Sequence, residues 1–129
     1  MSEVPPERHG LRGFIRRLIS SRDELEAEEV RAESAVPGAV PIATCRQRQR
    51  VRVAGTLRTV TLRPRGGAPA LEAELYDGSD MINLVWLGRR RIAGIEPGRK
   101  LVVNGLVSEQ NGRKVIFNPR YDLRPAGGK

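Results

Sequence analysis

The first third of the chain places apolar and polar residues at helical spacing. One set of apolar residues recurs three or four positions apart and leaves arginines on the opposite side; this set is Leu11, Phe14, Ile15, Leu18 and Ile19. Ser21, followed three residues later by Glu24, forms a capping-box pattern, in which a side-chain oxygen accepts from a free backbone amide. The spacing predicts an N-terminal helical arm over 11–33, with an acidic second half.

Three other segments show no periodic pattern. The composition predicts a disordered lead over residues 1–10, a linker rich in Pro, Gly and Ala over 34–45, and a flexible tail over 125–129. These segments divide the chain into the helical arm and a single further domain at 46–124.

Within that domain the pattern changes to period 2. Apolar and polar residues alternate between positions 50 and 58, as in a half-buried β-strand. The apolar set then shifts by one position to Val60 and Leu62. A phase slip within one strand indicates a β-bulge or a sharp bend, and Gly55 would permit tight coiling there.

Four further strands are predicted. Alternation at 71–75 and the apolar run Met81–Leu87 flank Asp77-Gly78, which is a strong turn signal. Residues 88–94 allow a turn or two of helix, and the last two strands flank the turn at 110–112.

This order of elements predicts a mainly β fold. A long bent strand, two strands, a short helix and two more strands match the five-stranded OB-fold Greek-key barrel, with the short helix between strands 3 and 4. The bend lets the first strand pair on both sides and close the barrel. An SH3-like barrel is the structural alternative, but it has no helix at that place.

Four segments also carry a family resemblance. They are Val51–Gly55, Leu71–Gly78, Ile82–Arg89, and Ile95–Gly98 together with Gly105. Their order and spacing resemble OB-fold nucleic-acid-binding proteins, specifically a small actinobacterial family of stand-alone OB proteins. They are also similar to the OB wedge of RecG-type helicases and to tRNA anticodon-binding OB domains. The resemblance implies a barrel that binds nucleic acid along strands 2 and 3, between the loops that join strands 1–2 and 4–5.

Charge supports a polyanionic partner independently of that resemblance. Residues 46–129 carry seventeen Arg and Lys against seven Asp and Glu, whereas residues 1–45 carry six against eight. Arginine-favouring codon usage can explain why Arg replaces Lys, but it does not explain an uncompensated surplus in one region. The asymmetry therefore indicates a polyanionic partner, which together with the resemblance favours nucleic acid. No cofactor is expected.

Several other functional classes lack their residues. The single Cys45 permits no intrachain disulfide and no paired-cysteine zinc motif, and the single His9 lies in the predicted disordered lead. No apolar run is long enough to span a membrane, and the first residues do not resemble a signal peptide. We therefore expect a cytoplasmic protein that is not an enzyme, has no metal site and does not act at a membrane.

A binding site is predicted from the basic and aromatic residues of the barrel. The cations lie on strand 1, in the two loops and at the predicted short helix; they are Arg50, Arg52, Arg58, Arg63, Arg65, Arg89, Arg90, Arg91, Arg113 and Lys114. The three consecutive arginines could hold a phosphate beside a helix start or could simply be a solvated helix face. Glu72 and Glu74 point to the same side of strand 2 as the expected ligand and would repel phosphate.

Aromatic residues are the candidates for base stacking. Tyr76 is out of phase with the core residues of its strand and should face outward. Trp86 is in phase with the core set, so that it could be a core residue instead of a stacking one, and Tyr121 could stack or pack against the barrel.

The sequence thus favours non-catalytic, phosphate-led and weakly sequence-specific binding of nucleic acid, with single-stranded DNA or RNA preferred. The alternative is a protein-interaction adaptor that uses the barrel and docks a partner on the N-terminal helix.

Overall fold

A computed structural model describes residues 22–125, which form one α-helix, a short 3-10 helix and six strands. The elements are α1 (22–33), the 3-10 helix (Ile42–Thr44), β1 (Arg50–Leu62), β2 (Ala70–Tyr76), β3 (Met81–Leu87), β4 (Lys100–Gln110), β5 (Arg113–Phe117) and β6 (Arg120–Leu123). The fold is mainly β, as the sequence predicts.

The strands form one sheet that closes partly into a ring. Their order is β1-β2-β3-β5-β4-β6, and an additional pairing between β1 and β4 joins the two sides of the sheet. All neighbours are antiparallel except β3 and β5, which are parallel. Because β4 follows β5 and precedes β1 around the ring, it lies across the ring from the β2–β3 pair.

Strand β1 makes this closure possible. Its first half, Arg50–Thr56, pairs with β4, and its second half pairs with β2. The register shifts between Leu57 and Thr59, which confirms the bulge predicted from the phase slip. A Cβ on Gly55 would lie 2.5 Å from the Tyr76 carbonyl oxygen, so only glycine fits where β1 turns from one partner to the other.

Two predictions about the later strands are wrong. The sequence indicated five strands, but Arg120–Leu123 adds a sixth, which pairs with β4 beyond the end of β5. The short helix expected between strands 3 and 4 is absent, and residues 88–99 form a series of turns. Gly88, Gly94 and Gly98 adopt positive φ angles there, which interrupts any helix.

The core lies inside the ring. Its fully buried large side chains come from every strand of the ring and from the 3-10 helix; they include Ile42, Val53, Leu57, Leu75, Ile82, Leu84, Leu101, Val103, Val107 and Ile116. The alternate residues of each strand therefore point outward. A smaller apolar cluster of Ala70, Val85 and Val115 lies on the outside, where Phe117 packs against it.

The segment 34–45, predicted as a linker, is an integral part of this packing. The Val40 amide donates to the carbonyl of Arg52 at 2.9 Å, and the side chain of Ile42 is completely buried in the core. Cys45 is buried as well. Residues 34–45 thus connect α1 to β1 by a path that is fixed at several points.

Helix α1 contacts the turn after β2. The Arg31 guanidinium donates to the Gly78 carbonyl at 3.1 Å, and a Cβ on Gly78 would collide with the Ala27 carbonyl oxygen of α1. Glu33 forms a salt bridge with Lys100 at 3.4 Å. The helix predicted over 22–33 is present, whereas its first half over 11–21, the lead over 1–10 and the tail beyond Pro125 lie outside the described residues.

Candidate nucleic-acid interface

A large cleft in the described part of the chain lies outside the ring, where β1, β4 and the turn between β5 and β6 meet. It has a volume of about 880 Å³. Its polar lining consists of three arginines and three amide side chains, namely Gln49, Arg50, Arg52, Asn104, Asn118 and Arg120. We call this set the arginine cleft.

The sheet register explains why these side chains meet. Arg52 pairs with Asn104 of β4, and Asn104 pairs with Arg120 of β6, so the three residues form one row across three strands. Strands lie about 4.8 Å apart, so the outer two Cα atoms of the row are roughly 10 Å apart. Arg50 lies two residues from Arg52 and on the same outward side of β1.

No carboxylate lines the arginine cleft. The only side-chain hydrogen bond from its arginines to another described residue runs from Arg52 Nε to the Pro37 carbonyl, at 3.3 Å. Arg50 and Arg120 are exposed and form no salt bridge with any described residue. Asp122 lies two residues beyond Arg120 and is the nearest acid along β6, but it makes no salt bridge with it. The cleft thus offers positive charge that the described residues leave uncompensated.

A second polar surface lies on β2 and β3, where the OB resemblance implies binding. Glu72, Glu74 and Asn83 face outward here, together with Arg63, which follows β1, and Arg113, the first residue of β5. We call these five residues the β2–β3 face. Glu74 accepts a hydrogen bond from the Thr59 hydroxyl at 3.0 Å. The face therefore combines both signs of charge.

Arg65, one of the predicted ligand-binding cations, neutralises part of this face. Its guanidinium lies 2.8 Å from the carboxylate of Glu72, and it also lies 5.6 Å from the ring centroid of Phe117. It donates a longer hydrogen bond of 3.4 Å to Gln110, which joins the two loops. Arg65 is thus held by three protein groups.

Lys114, also predicted to bind ligand, has a structural role in the described chain. Its ammonium donates to the carbonyls of Ile42 and Ala43 at 2.8 and 3.3 Å and lies 3.4 Å from the Asp80 carboxylate. On the other side, the Ile42 amide donates to the buried carboxylate of Asp77 at 2.9 Å. We call Ile42, Asp77 and Lys114 the Ile42 clamp.

Asp77 also organises its own turn. Its second carboxylate oxygen accepts from the Ser79 amide and hydroxyl and from the Asp80 amide, at 2.7 to 3.2 Å. The Asp77-Gly78 turn predicted from the sequence is therefore confirmed, with Gly78 at a φ of 91°. Burial raises the pKa of the nearby Cys45 thiol, and the ammonium of Lys114 partly opposes that shift.

The three aromatic candidates occupy different environments. Trp86 is only 5% exposed, donates from its indole nitrogen to the Pro119 carbonyl and contacts Tyr121 edge to face, so it is a core residue and offers no face to a base. Tyr121 packs against the same core and is half-buried. Tyr76 faces outward, but the Arg58 guanidinium covers its ring at 4.3 Å.

The consecutive arginines Arg89, Arg90 and Arg91 are exposed in the turn segment after β3. With no helix there, a phosphate site at a helix start does not exist. The adjacent Ile92 and Ile95 are buried and fix the segment to the core.

Sequence reasoning missed four of the six residues of the arginine cleft, namely Gln49, Asn104, Asn118 and Arg120. Asn104 and Arg120 meet only because β6 pairs with β4, which the sequence did not predict. A usable signal was the alternation of charged and apolar residues at 120–123, with Tyr121 and Leu123 packing inward.

Residues 22–125 contain no cluster of three or more metal-ligating side chains. Among the same residues, no helix is both long and apolar enough to cross a membrane.

Comparison with known proteins identifies a fold relationship. Neither the protein-family models nor the curated proteins include a match to this chain. Among solved structures, the chain is similar to part of RecG, solved bound to a three-way DNA junction, with 21% identity and a TM-score of 0.53. The match covers 64% of this chain but only 12% of that chain. The chain therefore shares its fold with a small portion of a much longer protein.

Proposed function

We propose that this chain is a non-catalytic, OB-type nucleic-acid-binding protein that holds single-stranded DNA or RNA mainly through phosphates. The binding would be weakly sequence-specific, because arginine contacts to phosphate carry no base information. The fold shared with part of RecG, which was solved on a DNA junction, makes DNA the first ligand to test.

The observation that carries this proposal is the large set of exposed arginines that have no carboxylate partner among residues 22–125. Among the described residues, salt bridges engage only Arg65, Lys100 and Lys114 of the ring. Within residues 46–125, the exposed arginines outside these pairs are Arg46, Arg48, Arg50, Arg58, Arg63, Arg89, Arg90, Arg91, Arg113 and Arg120. A surface of this kind attracts a polyanion and releases its counterions on binding.

The aromatic residues support the phosphate-led form of this binding. Stacking contributes about 1–3 kcal/mol per base in dedicated single-strand binders. Here Trp86 is buried and Tyr76 is covered by Arg58, so few rings remain for bases. Electrostatic attraction would therefore supply most of the affinity.

A titration at two salt concentrations tests the proposal. Labelled single-stranded DNA, duplex DNA and single-stranded RNA of equal length are titrated with the full chain, and anisotropy is measured. We expect tighter binding to the single strands and a clear loss of affinity with salt, with a slope of roughly 0.7 per phosphate contact. Failure to bind any of the three at low salt would overturn the proposal.

That failure would favour a protein-interaction adaptor. One observation supports this second function: Leu25 of α1 is 62% exposed, which leaves an apolar side chain on the helix surface for a partner to cover. In that case the exposed arginines would pair with an acidic protein surface.

A further inference from the structure

We propose that the arginine cleft is the principal phosphate-binding site of this chain, on the side of the ring across from the β2–β3 face. This inference rests on the proposed function and specifies where and how the strand is held. It differs from the location implied by the OB resemblance, which is β2 and β3 between their flanking loops.

The first step of the argument is charge. The cleft gathers Arg50, Arg52 and Arg120 with no carboxylate in its lining. The β2–β3 face presents two carboxylates: Glu72 is already paired with Arg65, and Glu74 has the Thr59 hydroxyl as its one hydrogen-bond partner among the described residues. A phosphate would meet attraction in the cleft, and both attraction and repulsion on the other face.

The second step is orientation. Backbone groups of the 34–45 segment hold Arg52 from one side: its Nε donates to the Pro37 carbonyl, while its own carbonyl accepts from the Val40 amide. The terminal nitrogens of the guanidinium donate to no described residue, which leaves them for a ligand. A guanidinium fixed in this way loses less conformational entropy when it binds a phosphate.

The third step concerns the shape of the ligand. The row from Arg52 through Asn104 to Arg120 extends roughly 10 Å across three strands, which exceeds the size of one phosphate group. The side-chain oxygens of Gln49 and Asn118 already accept from the Arg46 and Leu87 amides, so these two residues offer mainly their NH2 groups to phosphate. Asn104 can both donate to and accept from a sugar hydroxyl or a base edge. Leu106 is 44% exposed at the same cleft and offers apolar contact to a sugar or a base. The geometry points to a strand with successive phosphates.

The test compares two charge-matched double variants. Arg50→Gln with Arg120→Gln removes two exposed cations of the cleft, and Arg63→Gln with Arg113→Gln removes two exposed cations of the β2–β3 face. Both variants change the net charge equally and leave the core unaltered. Single-stranded DNA is titrated with each at several salt concentrations, and thermal unfolding verifies that both remain folded.

We expect the cleft variant to bind about tenfold to a hundredfold more weakly, since it loses two charge-assisted contacts, and its salt slope to fall by roughly 1.4. The variant of the β2–β3 face, Arg63→Gln with Arg113→Gln, should lose only long-range attraction to the strand, and its affinity should fall by about threefold or less. Inorganic phosphate and a short polyphosphate serve as competitors. We expect the polyphosphate to displace the strand at far lower concentration, because it spans the row.

Three results would contradict the assignment. An equal or larger loss of affinity in the variant of the β2–β3 face would place the main contacts on that face and leave the proposed function intact. Equal competition by inorganic phosphate and polyphosphate would mean that a single phosphate is bound. No binding by the unaltered chain would overturn the proposed function, and this assignment with it.

Discussion

The arginine cleft and the Ile42 clamp show two different environments for charged side chains. In the clamp, the Asp77 carboxylate is 5% exposed, and both of its oxygens accept hydrogen bonds. Lys114 is likewise engaged by two carbonyls and a carboxylate. In the cleft, by contrast, Arg50 and Arg120 are exposed and pair with no described carboxylate.

The contrast shows that residue type and sequence position do not determine whether a charge is available to a ligand. Lys114 and Arg113 are neighbours on β5, and the sequence pattern predicted that both would be binding cations of a loop. In the structure one fixes a buried turn, whereas the other is exposed. The distinction depends on burial and on partners that are distant along the chain.

Removing the Asp77 carboxylate should have the largest effect. Asp77→Ala leaves the Ile42, Ser79 and Asp80 amides without their acceptor, so we expect a loss of about 3 kcal/mol in the free energy of unfolding. Urea unfolding followed by Trp86 fluorescence measures it. The exposed Asp122→Ala is the control and should change stability by under about 0.5 kcal/mol. A loss below about 1 kcal/mol in Asp77→Ala would show that the clamp is not structural.

Replacing Lys114 should lower the free energy of unfolding more than replacing its neighbour Arg113. Lys114→Met keeps the aliphatic packing but removes the bonds to Ile42 and Ala43, so we expect a loss of about 1–2 kcal/mol in stability. The slope of log affinity against log salt for single-stranded DNA should stay unchanged. Arg113→Gln should leave stability unchanged. If Lys114→Met lowers the salt slope instead, Lys114 contacts the ligand and belongs with the binding cations.

An added carboxylate should weaken DNA binding more in the arginine cleft than at the end of β1, and this effect should be smaller than the two above. Leu106 in the arginine cleft and Leu62 at the end of β1 are 44% and 45% exposed. Leu106→Glu places a negative charge among the cleft arginines and should weaken DNA binding about five- to tenfold at low salt. Leu62→Glu should weaken it by less than about threefold. Anisotropy titrations measure both, and a reversed order would contradict the cleft assignment.

The smallest expected effect is a pH dependence at Cys45, beside the Ile42 clamp. Burial raises the pKa of this thiol, so the folded chain retains its proton at pH values where the unfolded chain has released it. The contribution of the protonated thiol to the free energy of unfolding is complete at pH values below the pKa of the unfolded thiol. It is lost as the pH rises through the pKa of the folded thiol. Urea midpoints between pH 7 and pH 10 should fall more steeply than in Cys45→Ser. Parallel curves would show that the thiol is not desolvated.

Much of the fold followed from local signals. The phase slip before Val60 predicted the bulge that lets β1 pair with both β2 and β4, and Asp77-Gly78 predicted the turn after β2. The missed strand β6 has only four residues, two of them charged, so its apolar signal is weak. The helix wrongly expected after β3 is prevented by glycines with positive φ.

Less of the candidate site could be predicted. The alternation of β1 placed Arg50 and Arg52 outward, but their convergence with Arg120 depends on the pairing of β4 with both β1 and β6. The ion pair between Arg65 and Glu72 could not be predicted from the sequence either, because it depends on the conformation of the loop between β1 and β2. Burial of Trp86 agreed with its phase along β3, although that residue was also a stacking candidate.

The Ile42 clamp also constrains the order in which this chain can fold. The Ile42 amide donates to a carboxylate that lies 35 residues further along the chain, and the Ile42 carbonyl accepts from an ammonium that lies 72 residues further along. Contacts this distant form slowly, because long loops must close first. A chain that emerges from the ribosome therefore cannot complete the Ile42 clamp until β5 has been made. Residues 34–45 can contact β1 earlier, through the Val40 amide and the Arg52 carbonyl, but their attachment to β5 is made late although they are synthesised before the ring.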